Sequence, residues 1–142
     1  MSADNTIGIN PEDQFISVRV LIDTLFEQDP ISVAEMEGIT LVQRSEERPA
    51  HEDCYGFVFG EDFEAELARV AIDGEKSDHV EGAIAFYFDE GFLVHVGIAT
   101  ADGNIISKWG EGPVFKHRPH LVPTYYGKIG GYKIDQQKTP GK

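Results

Sequence analysis

The sequence predicts an α+β domain built on a largely antiparallel sheet. Apolar residues recur at helical spacing in the first half of the chain, while short β-branched and aromatic runs between Asp/Gly turns fill the second. Helices first and strands afterwards favour α+β over an alternating α/β order. At 142 residues the chain has the length of one domain and can bury a core of its own.

Pro11 opens the first helix, a favoured first-turn position, and the acidic pair Glu12 and Asp13 suits the helix dipole. Phe15, Val18, Ile22, Leu25 and Phe26 carry the apolar stripe to about Glu27, and Asp29-Pro30 stops it. A second short helix is expected over Ser32 to Glu37, with Ser32 as cap and Gly38 as terminator. Thr40 to Val42 reads as a brief strand and Ser45 to Asp53 as a charged loop. Cys54 to Gly60 is apolar and glycine-marked; Phe63, Leu67 and Val70 follow at helical spacing to Ile72, and Asp73 to Asp78 is a loop. Strands are expected at Ala83–Phe88, Phe92–Ala99, Asn104–Trp109 and Ile129–Ile134. The domain therefore runs over 11–135, helices packed on an antiparallel sheet, between a disordered 1–10 and a flexible 136–142.

Charge narrows the function classes. With 12 basic and 25 acidic residues the net charge is −13, which argues against a nucleic-acid binder and favours basic partners. One cysteine allows no internal disulfide. The N-terminus lacks a basic patch followed by an apolar run, and no stretch nears the ~18 apolar residues of a membrane span, so a cytoplasmic protein without membrane contact is expected.

Cys54 stands where a polar loop meets an apolar, helical stretch, and a helix start favours the thiolate. Against that, a lone cysteine is commonly a small buried hydrophobe. His95 interrupts the apolar run Phe92–Ile98; it reads either as a core histidine satisfied by a backbone carbonyl or as the base that activates Cys54. A third group must orient such an imidazole. Strand parity puts Leu93, His95 and Gly97 on one side. If Ala101-Asp102-Gly103 is a three-residue hairpin loop, Gly97 pairs with Ser107 and Ser107 joins the His95 face; a two-residue turn sends it to the other. His117 is the alternative, provided Gly110 to Lys116 returns along the sheet. His117 and His120, with Cys54 or His51, suggest a metal site only weakly, since Pro119 breaks any helix between them. No cofactor is expected: the glycines form no phosphate cradle opening a helix.

Asp53-Cys54-Tyr55-Gly56-Phe57-Val58 resembles the Asp-Cys-Ser-Gly-Phe-Val nucleophile motif of NlpC-type papain-like cysteine peptidases. His95-Val96-Gly97-Ile98, preceded by Gly82 to Phe86, resembles that family's histidine strand, and the third polar position falls on Ser107. The string from Ile106-Ser107-Lys108-Trp109-Gly110 through His117 to Tyr126-Gly127 resembles an uncharacterised branch of the same superfamily. The resemblance covers about residues 50 to 127 and implies a papain-like fold, Cys54 as nucleophile, His95 as general base, and Ser107 or His117 as its orienter. The implied reaction is hydrolysis of a peptide, amide or isopeptide bond through an acyl-enzyme. The chain departs from the family at Tyr55, which replaces a small residue, and at Ala83, where an Asp is usual. The bulky Tyr55, the weak imidazole orienter Ser107 and the charge of −13 motivate the alternative expectation of a catalytically weak or inactive acidic module that binds or inhibits a basic protein.

Overall fold

A computed structural model describes residues 11–135, with side chains from Val18 onward. The expectations for 1–10 and 136–142 lie outside that range. Helix α1 is Pro11–Gln28, α2 Cys54–Phe59 and α3 Phe63–Asp73. Strands are β1 Ile39–Gln43, β2 Glu75–Ser77, β3 Ile84–Asp89, β4 Phe92–Ala99, β5 Ile105–Lys108, β6 Val114–His117 and β7 Lys128–Ile134. They form one antiparallel seven-stranded sheet in the order β1-β6-β5-β4-β3-β7-β2, so the α+β class holds.

Alternation along β3 divides the core. Ala83, Ala85 and Tyr87 face Val18, Ile22, Leu25 and Phe26 of α1 together with Trp109 and Phe115. Ile84 and Phe86 face Cys54 and Phe59 of α2 and Val70 of α3. The sheet thus lies between α1 and the α2–α3 pair, because period-two strands with apolar residues on both faces need cover on both.

Two local expectations are corrected, and one open condition is met. The second helix is a 3₁₀ turn over Pro30–Glu35, capped by Asp29 rather than Ser32, with Pro30 opening it. Asp73 to Asp78 contains β2, a polar edge strand that carries no hydrophobic signal. The segment after Gly110 does return along the sheet, as β6, which is the condition set for His117; its four residues between a Gly/Pro loop and Pro119 are too few to show a period.

The β4–β5 hairpin decides the site's geometry. Thr100 N–H donates to Asn104 O at 2.9 Å, Ala99 pairs with Ile105 and Ile98 with Ile106, so the loop has three residues and Gly97 falls opposite Ser107. Gly97 is required by proximity: a Cβ there would sit 2.5 Å from Ile105 Cγ2, 3.0 Å from Ser107 Cβ and 3.1 Å from Ile106 O. Gly97→Ala is expected to cost about 1–3 kcal/mol by overpacking. A thermal melt unchanged from wild type would show that β5 can yield.

Candidate functional site

Asp53 caps α2, accepting a hydrogen bond from Gly56 N–H at 3.0 Å, and this sets Cys54 in the first turn. The helix packs on β4 and β5, and Cys54 is only 5% exposed, among Val96, Ile84, Phe86 and Phe59. Burial pushes the thiol up to about 12, and nearby Asp53 pushes the same way. The amides of Val96, Tyr55 and Cys54 itself pull down, with less effect. The direction expected from the helix start is therefore overturned: six residues of helix supply too little field to offset desolvation.

His95 is completely buried. It pairs across the sheet with Tyr87, directly after a bulge at Val94, and so faces the α1 side while Val96 faces Cys54; the bulge turns Leu93 to the Cys54 side as well, correcting the parity that put Leu93 with His95. Tyr126 lies flat on the imidazole, with ring centres 3.9 Å apart and planes at 9°, and Tyr87 meets it edge-on at 5.2 Å. Neither ring nitrogen has a hydrogen-bond partner. His95 is thus neither the carbonyl-satisfied histidine nor a base bonded to Cys54; it packs as an aromatic plate. Burial holds its pKa well below the usual histidine range, and His117 adds to the effect.

Both candidate orienters reach this face, but they bond each other. Ser107 Oγ and His117 Nε2 are 2.7 Å apart, Trp109 Nε1–H donates to Ser107 Oγ at 3.1 Å, and His117 Nδ1 is 2.7 Å from Arg118 O. A carbonyl can only accept, so Nδ1 carries the proton, Nε2 accepts, and the Ser107 hydroxyl donates to it. The chain runs one way, from Trp109 through Ser107 to His117, and leaves no proton for His95. Burial lowers His117 to about 4, consistent with this neutral tautomer. Both its nitrogens are thereby engaged, which removes it from the weak metal reading; no cluster of three metal-ligating side chains occurs among the described residues.

Tyr126 was named from sequence within the family-like string, and Arg19 and Asp23 were not singled out at all. The turn Thr124–Tyr126 carries Tyr126, whose phenol is pushed up by burial first and by the charge of Cys54 next. Arg19 and Asp23 of α1 hold that turn. Arg19 donates to Val122 O at 2.9 Å, Pro123 O at 2.8 Å and Gly127 O at 2.7 Å. Asp23 accepts from Thr124 N–H at 2.8 Å and Thr124 Oγ1–H at 2.5 Å. These contacts span more than 100 residues of sequence, so no local spacing signals them. Tyr55, which stands where the resembled family has a small residue, stacks on Phe63 with ring centres 6.1 Å apart.

Comparison of the chain with protein-family models, with curated proteins and with solved structures gave no match. No helix among the described residues is long and apolar enough to cross a membrane.

Proposed function

We propose that the chain is a catalytically silent papain-like module whose acidic surface engages a basic protein partner. The observation that carries this reading is the geometry of the pair: a buried thiol, pushed up by that burial, and an imidazole that faces the other side of the sheet with neither ring nitrogen hydrogen-bonded. Nucleophilic catalysis needs the thiol within reach of a base and the base held by a third group. Here Tyr126 covers His95, and Ser107 and His117 are spent on each other. The net charge of −13 supports the choice of partner, since it steers association with cationic surfaces. Iodoacetamide labelling of the folded chain at neutral pH is expected to be slow, and His95→Ala should leave its pH dependence nearly unchanged. A fast wild-type reaction whose pH profile changes on His95→Ala would overturn the proposal. Binding to a lysine-rich peptide should weaken steeply with added salt.

A second reading, hydrolysis of an amide bond, draws on one observation. The Val96 amide lies at the Cys54 sulfur, so the thiol sits beside the residue that follows His95. If Tyr126 withdrew and the His95 ring turned past the strand toward the Cys54 side, its unpartnered nitrogen would take the thiol proton as Sγ attacks an amide carbonyl. It would then protonate the departing amine, and water would release the acyl group. This reading predicts a stable thioester with an activated acyl substrate that Cys54→Ala abolishes; its absence supports the silent module.

A further inference from the structure

We propose that the cavity between α3 and the β3–β7–β2 end of the sheet binds a small carboxylate with an apolar body. The cavity measures about 390 Å³, within the range of small-ligand sites, and is walled by Ala71, Lys76, Phe86, Phe88, Gly131 and Lys133. Cys54 and His95 are not part of it, so it is separate from the site above.

Its charge pattern points to the ligand. Lys76 and Lys133 stand directly opposite each other on antiparallel strands, so both side chains leave the same face. Like charges in that relation repel and cost stability. They persist here in a chain whose net charge is −13. Lys133 Nζ donates to Ala71 O in the last turn of α3, which fixes its ammonium on the cavity wall with donors to spare. Lys76 has no hydrogen bond or ion pair among the described residues. Two nearby carboxylates are engaged elsewhere, since Arg69 binds Asp135 through two 2.9 Å hydrogen bonds and Glu66 at 2.5 Å.

The floor suits an apolar body. Phe86 is buried beneath it and Phe88 is 38% exposed at the rim. Strand β7 carries an extra residue at Gly130, where a Cβ would strike the Phe88 ring at 2.5 Å. At Gly131 a Cβ would meet nothing within 4 Å, so bare backbone opens onto the cavity. A carboxylate can therefore bridge the two ammonium groups while its apolar part lies on the phenylalanines.

The test is titration of decanoate into the 142-residue chain, followed by the amide resonances of Gly130 and Gly131. Saturable shifts of both are expected, with affinity reduced about tenfold or more by Lys76→Gln, the loss of one charge-assisted hydrogen bond. Ala71→Trp, at an exposed position on the wall, should abolish binding by filling the space. Decanol and decyltrimethylammonium should bind far more weakly. Absence of saturable shifts, equal binding of decanol, or indifference to Lys76→Gln would each overturn the proposal.

Discussion

Acidification from pH 6.5 to 4 is expected to remove at least about 3 kcal/mol of stability through His117 and His95 alone. Both imidazoles are buried, and burial lowers His117 to about 4 and His95 well below its ordinary value of 6.5. The unfolded chain therefore binds protons near pH 6.5 that the folded chain refuses. Below that pH the unfolded state holds more protons, so the stability present above pH 6.5 is lost as pH falls towards the folded values. For His117 the loss is about 3 kcal/mol over this interval, at 1.36 kcal/mol per unit; His95 adds in the same direction. Urea titrations across the range measure it. His95→Phe, which keeps a ring against Tyr126 and removes two unpartnered nitrogens, is expected to flatten the slope and raise stability at pH 5. A slope identical to wild type would mean that His95 titrates normally.

Arg19→Ala is expected to cost about 3 kcal/mol, roughly the worth of one or two charge-assisted hydrogen bonds after water reaches part of the exposed turn. The guanidinium accounts for three short hydrogen bonds, to Val122, Pro123 and Gly127 oxygens. Arg19→Lys should recover little, because an ammonium cannot spread its donors across three carbonyls as the planar fork does. Asp23 grips Thr124 within the same turn, so Arg19→Ala and Asp23→Ala are expected to be non-additive in a double-mutant cycle. The same substitution loosens Tyr126 from His95 and should speed alkylation of Cys54. A loss of stability with no change in alkylation would separate the turn's structural role from its cover of the site.

Legibility of the fold in the sequence follows the range of the interactions. The bounds of strand β4 were readable, since Phe92–Ala99 is apolar and bounded by turn residues, but its bulge at Val94 was not, and that bulge moves Leu93 off the His95 face. The meeting of Ser107 with the His95 face was readable as a condition on hairpin length, and the three-residue loop satisfies it. The protonation state of Cys54 was not readable. Local sequence offered a helix start and hence a thiolate, whereas the outcome depends on cover by β4, β3 and Tyr126. That cover is held by α1, about 100 residues away in sequence. Strands β2 and β6 escaped for a different reason: one is polar and the other too short, so only pairing with neighbours defines them.

The central claim is that Cys54 is buried, protonated and uncoupled from His95. Its most direct test is the rate of Cys54 alkylation by iodoacetamide between pH 5 and 9, resolved by mass spectrometry under conditions where the chain stays folded. A thiol pushed up to about 12 predicts a slow rate that rises about tenfold per pH unit with no plateau. A rate that levels off below pH 8, and a plateau that disappears in His95→Ala, would contradict the account and identify a working thiolate–imidazolium pair.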